Sequence, residues 1–265
     1  MLDKVFSEGY CSLMESFDTY YASIYLDRYK ELKEALLSER EPVEVKEGLL
    51  KGYFMDEGSL MASSALPVKP GDRVLDMCAA PGGKSLILAT KLKGEGSLIL
   101  NDRSRARRER LKRVIAEHLS SDVSQIIKIT GHDARKWGLY EQACYDAVLL
   151  DAPCSSERHL LANARLLKEW SPSRGKRLAN DQFAFLAAAL ESVTLGGFIL
   201  YSTCSINPLE NEAVIAKLFK RRLGRAVEVT PMPLIGEKRE YGQIILPDRA
   251  NGRGPLYYAL LRRIK

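Results

Sequence analysis

The sequence predicts an α/β fold: a mostly parallel, seven-stranded sheet with helices on both faces, a terminal antiparallel hairpin and a small N-terminal helical extension. Three observations carry this reading. From residue 70 onward, short apolar runs alternate with helical stretches, a pattern that builds parallel sheets covered on both sides. The turn Pro81-Gly82-Gly83 follows the first of these runs and opens a helix. Two late strand-like runs close the chain, the second preceded by a glycine-rich stretch.

Residues 1 to about 40 read as helix, because Phe17, Tyr20, Tyr21, Ile24 and Tyr25 recur at helical spacing and Leu32, Leu36 and Leu37 continue the pattern. The aromatic stripe reads as core or docking surface, with base stacking as the alternative. The charged, proline-containing stretch 38–43 reads as a linker. We therefore divide the chain into a helical extension, 1–45, and a catalytic domain, 46–265. The strand-like runs are 73–77, 97–101, 125–130, 145–150, 197–202, 226–230 and 255–261. Helices are expected at 84–92, 104–118, 174–195 and 208–222. Before the last of these, Asn207, Pro208 and Glu210 read as cap, first-turn proline and capping glutamate.

At 265 residues and 46% apolar content, the chain can bury a full-sized core. No apolar run approaches the roughly 20 residues of a membrane span. The five cysteines (11, 78, 144, 154, 204) show neither metal-ligand spacing nor a disulfide framework, which fits free thiols in a reducing compartment. No metal site is expected, no membrane partner either, and the expected location is the cytoplasm. The net charge of +6 hides an asymmetry: residues 1–60 hold 7 Lys and Arg against 13 Asp and Glu. The remainder is strongly basic, which favours a polyanionic partner.

Several features point to chemistry. The turn at 81–83 lets a ligand approach the backbone at a helix N-terminus, but lacks the G-x-G-x-x-G spacing of dinucleotide folds. Asp102, at the end of the second strand, is placed to hold ribose hydroxyls; its alternative role is to start a helix with Ser104. Asp133 follows the third strand, either at an adenine edge or as the cap of 134–137. Cys154 and Cys204 each leave the end of a strand, and a thiolate at either would be a nucleophile. Asp151 is placed to bond the N3/N4 edge of a cytosine, and Lys84 to assist base or cofactor. Arg107 lies on the basic run 103–113, which reads mainly as a solvated face.

The segments Asp76-Met-Cys-Ala-Ala-Pro-Gly-Gly-Lys84, Asp151-Ala-Pro-Cys154, Ser202-Thr-Cys-Ser-Ile-Asn-Pro-Leu-Glu-Asn-Glu212 and Gly254-Pro-Leu-Tyr-Tyr258 together resemble the Nop/Sun family of S-adenosylmethionine-dependent RNA cytosine-5 methyltransferases. The resemblance runs from about Asp56 to the C-terminus. The stretches 131–137 and 157–160 look most like the branch that includes mitochondrial ribosomal-RNA enzymes. The resemblance implies a class I methyltransferase (Rossmann-like) fold and S-adenosylmethionine as cofactor. It implies methylation of carbon 5 of cytosine in RNA, ribosomal RNA ahead of tRNA, through a covalent cysteine adduct. By resemblance, Cys204 is the nucleophile, Cys154 the release cysteine, and Asp151 and Lys84 active-site groups. Cys78, Ala79, Ala80, Pro81, Gly82, Gly83, Lys84, Asp102, Arg107, Asp133 and Asp151 would line the cofactor site. RNA recognition is expected from the basic body, the leader helix or a partner protein. The alternatives are a non-catalytic RNA-binding assembly factor, and a DNA cytosine methyltransferase in which Cys154 attacks.

Overall fold

The structure, a computed structural model, describes residues 16–230 and 236–265. The expected helix before residue 16, with Cys11, lies outside them. Ser16 opens α1 (Phe17–Tyr25) by accepting the Thr19 N–H at 3.1 Å. A 3-10 turn joins α1 to α2 (Tyr29–Leu37). An antiparallel hairpin then appears where the sequence read as linker and loop: β1 (Val43–Val45) and β2 (Tyr53–Met55). Strands of three residues are too short to show an alternation. Asp56 caps the next helix, α3 (Glu57–Ala65).

The main sheet begins with β3 (Arg73–Asp76), α4 (Gly83–Leu92), β4 (Ser97–Asn101), α5 (Arg105–His118), α6 (Ser121–Ser124) and β5 (Ile127–Thr130). β6 (Tyr145–Asp151) leads through α7 (Glu157–Leu161), α8 (Ala164–Lys168) and α9 (Pro172–Ser192) into β7 (Val193–Thr203). The chain closes with α10 (Glu212–Arg221), β8 (Ala226–Val229), β9 (Glu237–Lys238), β10 (Gln243–Ile245) and β11 (Leu256–Arg263). Strands β5-β4-β3-β6-β7 are parallel, and β11 lies antiparallel beside β7.

Two details depart from expectation. The terminal pair is not a simple hairpin: β8 covers only the far half of β11, while β10 pairs with its first three residues and β9 with β10. The sheet thus has nine strands among the described residues rather than seven, the additional β9 and β10 being two and three residues long. The helix expected to reach residue 195 ends at Ser192, and β7 starts without a loop. The pairing jumps there from Tyr145–Val193 to Ala147–Phe198, with Gly196 at φ +82°. Such an irregularity hides the start of a strand from its pattern.

Alternation divides the buried side chains between the two faces of the sheet. Leu75, Val148, Leu150, Ile199 and Tyr201 meet α9 and α10 residues such as Leu186, Leu190 and Ile215. Val74, Leu98, Leu100, Ala147, Leu149 and Leu200 meet Ala62, Leu86, Leu92, Leu111 and Ile115 of α3, α4 and α5. The aromatic stripe is core: Phe17, Tyr21, Tyr29, Leu32 and Leu36 join the first cluster. Arg28, between α1 and α2, ties them to the far edge through Glu237 at 2.7 Å and Asp248 at 2.5 Å. No described helix is long and apolar enough to cross a membrane.

If α2 is part of this core, Leu32→Ala, at a site with no exposure, should cost about 2–5 kcal/mol in urea unfolding. Leu37→Ala, on the exposed side, should stay within about 0.5 kcal/mol. Equal, small effects would detach α2 from the core.

Candidate active site

From β3 the sheet grows outward to β4 and β5, then returns to the other side of β3 with β6 and β7. Crevices form outside the carboxyl ends of strands at such a reversal. Asp76 ends β3, Asp102 follows β4, Asp151 ends β6 and Cys204 follows β7, so the fold itself gathers them.

The crevice has two parts. The larger, about 480 Å³, is lined by Met77, Cys78, Asp102, Arg107, Asp133, Arg135, Pro153 and Phe185, among others. The smaller, about 170 Å³, is lined by Asp76, Cys78, Ala79, Ala80, Pro81, Gly83, Lys84, Asp151 and residues of β2 and α3. Gly82 lines neither, and its smallness serves packing and turn geometry. At φ +123°, a Cβ there would stand 3.0 Å from Leu111 and Val114 of α5. Gly83 does line the smaller recess, and a Cβ on it would stand 2.9 Å from the Tyr53 ring.

Asp102 takes the helix-starting role read for it and also lines the larger recess. Its Oδ1 accepts the Ser104 N–H at 2.9 Å. Its Oδ2 is buried and lies 3.1 Å from Arg107 Nη1, but the angle makes this an ion pair without a hydrogen bond. An acceptor with spare capacity therefore borders the larger crevice. Arg107 also donates to the Ala80 carbonyl, bracing the 78–81 turn against Asp102. Asp133 takes the capping role: it accepts the Arg135 N–H at 3.1 Å and two guanidinium bonds. Arg135 holds its carboxyl down at about 2. Burial pushes the Cys78 thiol far up, so Cys78 is a wall and not a nucleophile.

Sequence reasoning placed Asp76 in a motif but gave it no role. Asp76 is buried, Ser85 donates to its Oδ2 at 2.7 Å, and its Oδ1 has no hydrogen-bond partner. Burial raises its pKa to about 7, with the Asp151 charge adding to the rise. The signal available was an acid ending an apolar strand. Such a group is poised for a cation or a donor that the chain itself does not supply.

At the chemical end, Lys84 donates to Asp151 Oδ2 at 2.7 Å, and Ser202 donates to Oδ1 at 2.8 Å. Burial opposes the charge on Lys84, but Asp151 beside it outweighs burial and its pKa rises. The two thiols meet: Cys204 Sγ lies 3.1 Å from Cys154 Sγ and 3.1 Å from Ser156 Oγ. Hydrogen bonds from Cys154 and then Ser156 pull Cys204 below the usual thiol range, against the effect of lost water. The same contact with Cys204, followed by burial, drives Cys154 upward. Cys204 is exposed and Cys154 half-buried. The pair thus sets an exposed, more acidic thiol beside a less acidic one, within electrostatic reach of Lys84.

Two buried glutamates fix the loops that carry the thiols. Glu157 accepts from Ser205 Oγ at 2.9 Å and from the Ile206 N–H at 3.1 Å. Glu210 accepts from the Ser155 N–H and from Gln182 Nε2, both at 2.9 Å. Glu210 is therefore not the capping residue its spacing implied: Asn207 caps a short 3-10 turn, and the Glu210 carboxylate crosses to the Cys154 loop. The described residues hold no cluster of metal-ligating side chains.

Residues 63–262 match the family model for the 16S rRNA methyltransferase RsmB/F. The 5-cytosine rRNA methyltransferase NSUN4 of Bos taurus is 34% identical over 234 residues, which cover 82% of this chain and 61% of that protein. The tRNA (cytosine(49)-C(5))-methyltransferase of Pyrococcus abyssi is 35% identical over 77% of this chain and 71% of its own length. This chain thus spans about six tenths of NSUN4. Among solved structures, PH0851 superposes with a TM-score of 0.79 at 25% identity, over 92% of this chain and 64% of that one. NSun6 from Pyrococcus horikoshii, solved with SFG, gives 0.68 at 27% identity, over 83% and 54%. The mostly parallel sheet with antiparallel strands at one end is the class I methyltransferase fold. The spare acceptors of Asp76 and Asp102 and the close-packed glycine turn fit the ammonium and ribose of a nucleoside sulfonium. Fold, cleft and a family match spanning most of the chain lead to one assignment: the chain belongs to the RsmB/F family, whose methyl donor is S-adenosylmethionine.

Proposed function

We propose that this protein methylates carbon 5 of cytosine in RNA through a covalent adduct with Cys204. The observation that carries this is the thiol pair, with Cys204 the exposed, acidified member. Relatives named as RNA cytosine-5 methyltransferases supply the reaction class. Ribosomal RNA is the favoured substrate, because the family model and the NSUN4 proteins carry rRNA in their names. A tRNA is the alternative that the archaeal relative raises.

Carbon 5 of cytosine is too poor a nucleophile to take a methyl group unaided. Addition of the Cys204 thiolate to carbon 6 forms a C–S bond and moves electron density onto carbon 5. Asp151 accepts from the exocyclic amine, and Lys84 offsets the charge that the ring gains. When bound, S-adenosylmethionine supplies the electrophilic methyl group, its C–S bond breaking with the electron pair left on sulfur. Asp76 would hold its ammonium, Asp102 its ribose, and the crevice beside Asp133 and Phe185 its adenine. Once Cys204 is bonded to carbon, it no longer carries the charge that kept Cys154 protonated. Cys154 can then lose its proton to water and take the one on carbon 5. The C–H electron pair restores the ring double bond as the C–S bond to Cys204 breaks, returning the thiolate.

The RNA strand has a track to follow. Residues 103–113 carry six Arg and one Lys against one Glu, an excess equal to the +6 of the whole chain. Arg103, Arg105, Arg110 and Arg113 are exposed, and Arg103 also lines the crevice. An unpaired or flipped cytosine would enter from that side.

Cys204→Ala should abolish methylation, while Cys154→Ala should let a covalent RNA adduct accumulate, seen as a shifted band in a denaturing gel. An adduct with Cys204→Ala and none with Cys154→Ala would reverse the assignment. Bisulfite mapping of total RNA from cells lacking the protein should reveal one lost 5-methylcytosine; an unchanged map would contradict the proposed activity.

Asp76→Asn tests the cofactor end. A carboxyl with a folded pKa of about 7, against the ordinary 3.8 of an aspartate, binds more protons folded than unfolded between those pH values. Its contribution to stability is therefore present below about pH 4 and lost as pH rises to about 7. The Asn variant should lack that decline in thermal-unfolding scans. It should also bind S-adenosylmethionine about tenfold or more weakly by calorimetry, as expected for a lost charge-assisted bond. Unchanged affinity would remove Asp76 from the cofactor site.

A further inference from the structure

Three tyrosine hydroxyls of α1 converge on the loop that follows Cys204 and on the glutamate that binds it. Tyr21 OH donates to Glu157 Oε1 at 2.6 Å, Tyr25 OH to the Ile206 carbonyl at 2.6 Å, and Tyr20 OH to Asn207 Oδ1 at 3.4 Å. The recipients are one stretch, 205–207, and the glutamate that binds it. Tyr21, Ser205, Ile206 and Glu157 have no solvent exposure, so the bonds among them are sealed from water, while those of Tyr25 and Tyr20 are part-buried.

We propose that α1 is a positioning element of the active site: Tyr21 and Tyr25, acting with Glu157, hold the 205–207 loop so that Cys204 rests against Cys154 and Ser156. This rests on Cys204 being the nucleophile. The geometry makes Glu157 the pivot. It lies three residues beyond Cys154 and binds Ser205 and Ile206, directly after Cys204, so one carboxylate sets the separation of the thiols. Burial, then the neighbouring Glu210, raises the pKa of Glu157 to about 7, and the Tyr21 hydroxyl acts against that rise by bonding the charged form. Tyr25 holds the same loop from the carbonyl side of Ile206. The tyrosines stay clear of substrate and cofactor and act only through the loop.

Losing either hydroxyl lets the loop drift, and the short contacts from Cys154 and Ser156 that stabilise the Cys204 thiolate lengthen. The expected signature is a split: kcat falls about tenfold, as positioning errors do, while KM for S-adenosylmethionine stays unchanged. The acid limb of the pH–rate profile moves upward, because Cys204 returns toward the ordinary thiol range.

The experiment compares Tyr21→Phe, Tyr25→Phe and the double variant in the full chain. Each keeps the ring and its packing and removes one oxygen. Methylation kinetics are read beside the pH dependence of iodoacetamide labelling at Cys204, which needs no RNA. A shift of labelling to higher pH in each variant, with the kcat loss, supports the clamp. If the wild-type chain methylates no RNA, the proposed activity fails, and the labelling profile still decides the clamp. Wild-type kcat and an unmoved labelling profile in folded variants overturn it. Should Tyr21→Phe fail to fold, Tyr25→Phe, which strips a bond only from a backbone carbonyl, gives the decision alone.

Discussion

A carboxylate sealed from water survives only if donors surround it, and Glu157 shows how much of this protein is arranged to meet that condition. Its partners come from α1 and from the loop after β7, segments separated by more than a hundred residues. Glu210 does the same in the opposite direction, reaching from the loop after β7 to Ser155 and to Gln182 of α9. Removing a single donor would leave charge or oxygen unsatisfied in a dry interior, a cost of about 1–3 kcal/mol. The two loops that bear the thiols are thus cross-linked by hydrogen bonds to buried carboxyl groups rather than by packing alone.

That rigidity matters because the proposed chemistry depends on a difference between two identical side chains. Cys154 and Cys204 are both cysteines at strand ends, 3.1 Å apart. They are made unequal by their surroundings: the contact between them lowers the pKa of Cys204 and raises that of Cys154, and Cys204 is the exposed one. In the proposed reaction this inequality would reverse once one sulfur bonds to carbon. Nearby, Lys84 and Asp151 form an ion pair across the two halves of the sheet, joining the helix after β3 to the end of β6. The same reversal of sheet order that opens the crevice therefore also fixes charge beside it.

Much of the fold was legible because burial writes itself into periodicity. The five parallel strands alternate or run apolar, and the glycine turn lies where the chain must bend sharply into α4. Elements of two or three residues, β1, β2, β9 and β10, left no pattern to find. The bulge at 194–197 concealed the start of β7 by breaking its alternation. Within the site, residues with distinctive chemistry were visible: both thiols, Asp102, Asp151 and Lys84 lie at the carboxyl ends of the parallel strands or on the helix after β3. Asp133 sits by the crevice, but its carboxylate is engaged by Arg135. Gly82 turned out to serve helix packing. What sequence hid was the long-range polar network, since nothing in local spacing announces that Tyr21 lies against Glu157. Glu210 was misread for the same reason: its spacing matched a helix cap, but tertiary burial redirected its side chain. The tyrosines of α1 carried an apolar periodicity that concealed their hydroxyls' function.

The central claim is that Cys204, not Cys154, forms the bond to the base. The most direct measurement is peptide mapping by mass spectrometry of the wild-type chain cross-linked to RNA containing 5-fluorocytidine, whose fluorine cannot leave as a proton does. The account predicts a nucleotide mass on the peptide containing Cys204 alone. The same mass on the Cys154 peptide, with Cys204 unmodified, would contradict it.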